Sequence, residues 1–145
     1  KLYLSAILDL YSRDLVSYTI SERPVLSMVT SMVKKAFDKI PEKSELILHS
    51  DQGWQYRHKQ YQRLLEEKGV RQSMSRKGNC FDNAVMENFF GILKSELLYI
   101  QEFESLEHFK RELVEYLDYY NNCRIKVVLS NLPPAAHRMQ ALSAS

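Results

Sequence analysis

Two short apolar runs open the chain, LYLSAILDL and LVSYTI, separated by Tyr11, Ser12, Arg13 and Asp14. The first alternates weakly, the second is β-branched and aromatic, and the polar residues between them suit a turn, so the pair predicts a strand hairpin. After Pro24 the apolar positions Leu26, Val29, Val33, Ala36, Phe37 and Ile40 recur at helical spacing until Pro41 stops them. That pattern predicts a helix over residues 25–40. ELILH is a nearly continuous apolar run bounded by charge, as in a strand buried on both faces, and Asp51 follows its end. Tyr61, Leu64 and Leu65 mark a short helix that Gly69 can cap, VRQS offers a further strand, and the polar SMSRKGN reads as a loop. From about Phe81, Met86, Phe89, Phe90, Leu93 and Leu97 form an apolar stripe with Glu87 at its edge. Ser105 can cap another helix, striped by Leu106, Phe109, Leu113, Tyr116, Leu117 and Tyr120, that runs out at Asn121 and Asn122. LPPAAHRMQAL predicts a last short helix with proline in its first turn.

Hairpin, helix, buried strand and then several helices make an α/β order, a sheet covered by helices. Ligands of such sheets gather beyond the carboxyl ends of the strands, where Asp51 falls. The length of 145 residues and the 45% hydrophobic content suit one domain with one core. Because the chain starts at Lys1, directly on an apolar stretch, it reads as a piece of something longer. No apolar run reaches the roughly 20 residues of a membrane helix, which places the chain in the cytoplasm with no membrane partner. Cys80 and Cys123 fit no zinc or disulfide spacing. The net charge of +2 is unevenly spread. Residues 57–77 hold seven Lys and Arg against Glu66 and Glu67, whereas residues 96–118 hold seven acids against Lys110 and Arg111. One part can face phosphate and the other cannot, although two solvated helix faces would give the same pattern.

An acid directly after a buried strand is held by the sheet yet open at its edge, and one on a helix anchored by an apolar stripe is aimed with little conformational freedom. Asp51 and Glu87 are these two acids. Hard divalent cations such as Mg²⁺ take oxygen ligands, commonly one or two carboxylates plus phosphate oxygens and water. Two such ions about 3.5–4 Å apart can activate an attacking oxygen and stabilise a leaving one at phosphorus.

LHSDQGWQY followed by SMSRKGNCFDNAVMENFFGILKSEL, with 35 residues between Asp51 and Glu87, resembles the second and third members of the acidic triad of integrase-core transposases from bacterial insertion sequences. That superfamily includes retroviral integrases. The likeness runs from KLYLSAILDLYSRDLVSYTISERP through YYNNCRI to LPPAAHR. It implies a ribonuclease H-like mixed sheet flanked by helices and dependence on Mg²⁺ or Mn²⁺. It also implies DNA cleavage at element ends, followed by strand transfer through the freed 3′-hydroxyl. Asp51 and Glu87 match the motif as catalytic and metal-binding residues. Lys94, seven residues after Glu87 and close to the same helical face, matches a DNA-touching position; Asn83, one turn before Glu87, can contact DNA or order the loop. Arg76 and Lys77 are further phosphate contacts. The partners implied are transposon-end and target DNA and further copies of the chain, within the bacterial nucleoid.

The resemblance places the first triad aspartate on a central strand upstream of Lys1. The expected organisation is therefore an N-terminally truncated core over residues 1–122 and an extension with a short helix over residues 123–145. Loss of the central strand would leave two unpaired edges, closed by rearrangement or by strand exchange with a second copy, unless the chain belongs to a longer one that supplies the strand. It would also leave two carboxylates where three are expected, and so weak metal binding and little activity. Asp9, at the end of the first run, is assigned a structural role. His49 reads as a satisfied core histidine, and Trp54 and Tyr56 as packed aromatics rather than base-stacking ones. Two rival functions stay open: a ribonuclease H-like nuclease without strand transfer, and a non-catalytic DNA-binding or oligomerisation remnant.

Overall fold

The computed structural model describes residues 2–10, 12–40, 45–75, 84–122 and 138–144. The hairpin is present as β1 (Tyr3–Asp9) and β2 (Leu15–Ser21), paired antiparallel. Asp9 builds its turn: its N–H donates to Asp14 O at 2.9 Å, its C=O accepts from Arg13 N–H at 2.8 Å, and its Oδ1 accepts from Ser12 N–H at 3.2 Å. Arg13 takes the left-handed conformation, φ 64°, that closes the turn.

Helix α1 (Leu26–Asp38) lies within the predicted span of 25–40. Strand β3 (Ile47–Ser50) leads through Asp51 into a one-turn helix α2 (Trp54–Arg57), then α3 (Lys59–Lys68) and β4 (Arg71–Met74). Gly69 ends α3 as expected, at φ 78°. Helix α4 (Ala84–Leu93) continues into a π-helical turn, Lys94–Leu98, closed by Tyr99 N–H donating to Lys94 O at 3.0 Å. Ser105 caps α5 (Leu106–Asn122), its Oγ accepting from His108 N–H at 3.1 Å.

The strands form one mixed sheet in the order β2-β1-β5-β3-β4, where β5 is Arg138–Ala144. β5 runs antiparallel to β1 and parallel to β3. The expected open centre is therefore filled, from within the chain, by the segment nearest its carboxyl end. The short helix expected over residues 132–142 is likewise corrected: 138–144 are strand, and the remainder lies outside the described residues, as does all of 123–137. Met, Gln, Ala and Leu are good helix formers, but the facing edges of β1 and β3 offer a ladder on both sides, and taking it leaves neither edge unpaired.

β1 alternates between two cores. Ile7 faces Val29, Met32, Val33, Tyr61 and Leu65 in the layer of α1, α2 and α3; Leu4, Ala6 and Leu8 face Met86, Phe89, Leu93 and Leu117 in the layer of α4 and α5. The basic residues 57–68 and the acidic residues 106–118 thus lie on opposite sides of the sheet.

Candidate nucleic-acid and metal site

Asp51 leaves β3 at its carboxyl end, and hydrogen bonds on both sides of it fix its course. Its Oδ1 accepts from Gly53 N–H at 2.7 Å. A Cβ at Gly53 would stand 3.0 Å from that oxygen, so glycine permits the tight turn. Around it, Ser75 acts as a common anchor, 3% exposed. Ser75 N–H donates to Ser50 O at 2.8 Å, and its C=O accepts from Gln52 Nε2 at 3.1 Å. The His49 ring completes the clasp, with Nε2 2.9 Å from Ser75 Oγ and Nδ1 2.8 Å from Ser73 Oγ. His49 is thus a histidine with both nitrogens partnered, as expected. The clasp itself was missed, because QSMS shows two hydroxyls on one strand face only once the parallel β3–β4 register sets His49 beside Ser73.

Glu87 lies in the first turn of α4, exposed, where a negative charge complements the helix dipole. Met86, Phe89 and Leu93 anchor that helix in the core beneath it. α4 also touches β5, the neighbour of β3. Lys94 is exposed at the start of the π-helical turn and borders an apolar groove lined by Leu4, Phe90 and Leu98. Arg76, Lys77 and Asn83 lie outside the described residues, as do Cys80 and Cys123. Among the described residues no group of three or more His, Cys, Asp and Glu side chains is placed to hold a metal ion, and no hydrogen bond or ion pair joins Asp51 to Glu87.

Tyr56 packs in the core, edge-on to Tyr61 at 5.4 Å between ring centroids. Trp54 does not: it is 49% exposed, which corrects the expectation of a packed indole. α2 is one turn long, and it turns Gln55 and Tyr56 inward, leaving Trp54 and Arg57 outward.

Among the described residues no helix is long and apolar enough to cross a membrane. Residues 1–80 match the integrase core domain family, and residues 87–142 match a second family of the same description. The InsK protein of insertion sequence element IS150 from Escherichia coli (strain K12) is 51% identical over 140 residues, 97% of this chain and 50% of that protein. A transposase-like protein of Haemophilus influenzae is 46% identical, over 99% of this chain and 66% of its own length. The transposase for insertion sequence element IS904 of Lactococcus lactis subsp. lactis is 39% identical, over 86% of this chain and 49% of its own length. The chain therefore spans from about half to two thirds of the length of these relatives. Among solved structures, a chain of the simian T-cell lymphotropic virus intasome in complex with PP2A regulatory subunit B56 gamma shares the fold, with TM-score 0.58 and 17% identity over 90% of this chain and 55% of that one. The hairpin, the strand that leads into Asp51 and the helix bearing Glu87 thus stand in a chain that belongs to the integrase core domain family, among the transposases of bacterial insertion sequences.

Proposed function

We propose that this chain is the larger part of the catalytic core of an insertion-sequence transposase, an enzyme that cleaves DNA at element ends and transfers the strand. Asp51 and Glu87 are on this reading two of its three metal-binding acids, the third lying upstream of Lys1, so that this chain alone has little activity. The observation that carries the reading is the clasped Asp51 at the carboxyl end of β3, in a chain whose relatives are transposases. Carboxylates on rigid elements suit Mg²⁺ or Mn²⁺, which take oxygen ligands and leave positions for phosphate and water. The Gly53 N–H bond fixes the Asp51 carboxylate, which would hold the ion together with Glu87. When bound, the metal would polarise the scissile phosphodiester and activate the attacking oxygen. The chain's own part is to fix these oxygens, while Lys94, Arg76 and Lys77 neutralise backbone phosphates and the Asn83 amide contacts DNA or orders the loop. DNA, and further copies of the chain, are the partners on this reading, and the bacterial cytoplasm is where they meet.

Two substitutions test it. Asp51→Asn and Glu87→Gln should each weaken Mn²⁺ binding, followed by the paramagnetic resonance of the free ion, about tenfold or more without changing the circular dichroism. Unaltered binding in both would remove the pair from the metal site. With a labelled donor end, joined products mark a transposase and hydrolysed ends alone a nuclease. Lys94→Ala should lower the slope of log affinity against log salt by about one.

A further inference from the structure

We infer that Trp54, with Arg57 beside it, is a stacking platform for an unpaired base of the DNA strand whose backbone passes Asp51; this rests on the function proposed above. The indole is about half exposed, although it follows a glycine whose N–H is bonded to the Asp51 carboxylate. Consecutive Cα atoms are about 3.8 Å apart, so the root of the indole lies one residue step from the chain atoms that hold that carboxylate. Nothing in the core needs Trp54. The inward positions of α2 are filled by Gln55 and Tyr56, and Tyr56 closes the packing against Tyr61.

Arg57 is three residues on, the spacing at which two helical side chains share a face, and it too is exposed. Lys59 and Arg63 follow, also exposed, and among the described residues none of these three cations has an ion-pair partner. An aromatic surface flanked by exposed cations fits nucleic acid: the ring takes the face of a base and the guanidinium the adjoining phosphate. Every base has a π-face, so such a platform serves unpaired DNA of any sequence. A base within a duplex is already stacked on both sides. The ligand is therefore a single-stranded or frayed end.

Trp54 is the chain's one tryptophan, which makes the test direct. The wild-type chain in EDTA is titrated with a thymidine oligodeoxynucleotide and with a blunt duplex of equal length. Excitation at the indole band follows Trp54, and the anisotropy of labelled DNA follows binding. The expected result is strong quenching by the single strand and little by the blunt duplex. Trp54→Ala should weaken single-strand binding about tenfold, and Trp54→Phe should restore most of it. DNA that binds without quenching, or Trp54→Ala binding as tightly as wild type, overturns the stacking platform and leaves the proposed function standing. A wild-type chain that binds neither DNA overturns both. Emission that ignores DNA but shifts with protein concentration assigns the surface to a second copy instead.

Discussion

Tyr61 carries its hydroxyl into a fully buried site where it has no hydrogen-bond partner among the described residues. Burial, and secondarily the neighbouring Tyr56, push its ionisation well above the ordinary phenol value. Between about pH 10 and that raised value the unfolded chain releases this proton while the folded one keeps it, so stability falls as pH rises. Tyr61→Phe should remove about 1.4 kcal/mol per pH unit from that alkaline slope. At neutral pH it should leave stability unchanged or raise it by about 1 kcal/mol, since an orphaned donor is lost. Urea unfolding at pH 8 and above pH 10 checks both. At His49 the two ring nitrogens can be tested apart, because a Gln amide reaches the Nε2 position and an Asn amide the Nδ1 position. If the bond to Ser75 holds the Asp51 turn, His49→Asn should speed hydrogen exchange at Gly53 N–H about tenfold while His49→Gln changes it little. Equal rates in the two variants would detach Ser75 from that role.

Each helix end tests a single device. Gly69 closes α3 in the left-handed region with nothing within 4 Å of where a Cβ would stand. Gly69→Ala should therefore cost about 1 kcal/mol of backbone strain alone, with no packing defect in a crystal structure. A loss well above that would mean a clash is involved. At the far end of α5, Asn121 behaves as a surrogate strand residue: its Oδ1 accepts from Leu15 N–H and its Nδ2 donates to Leu15 O, both at 2.7 Å. That pair docks the helix on the start of β2, beside the bond from Tyr120 OH to Arg13 O at 3.0 Å. Asn121→Ala leaves two backbone groups of Leu15 without those partners, and a loss of about 1–3 kcal/mol is expected in chemical denaturation.

The whole sheet depends on β5, which joins the hairpin to the β3–β4 pair. Deleting residues 138–144 strips a ladder from β1 and from β3 together and opens two edges. The shortened chain should lose its cooperative thermal transition or associate further through the exposed edges, as thermal melts and sedimentation of the two chains side by side would check. A shortened chain that stays monomeric and melts as before would show that the two halves of the sheet stand without β5. The charge layers also act at this scale. The acidic helix α5 lies across the sheet from the basic α2 and α3.

Much of the local structure was legible in the sequence because its causes are local: the apolar periods of α1, α4 and α5, the turn residues after Asp9, the αL glycine after α3 and the serine before α5. The spacing and flanking residues of Asp51 and Glu87 identified the family for the same reason, since a motif lies in the order of the chain. Sequence could not place what rests on register or on competition for partners. The His49–Ser75 clasp exists only because β3 and β4 pair in parallel, and Trp54 is exposed only because a single turn faces Tyr56 inward. Residues 138–142 read as the end of a short helix begun at Pro133 and Pro134. They became the central strand because two sheet edges could satisfy their backbone and one another's.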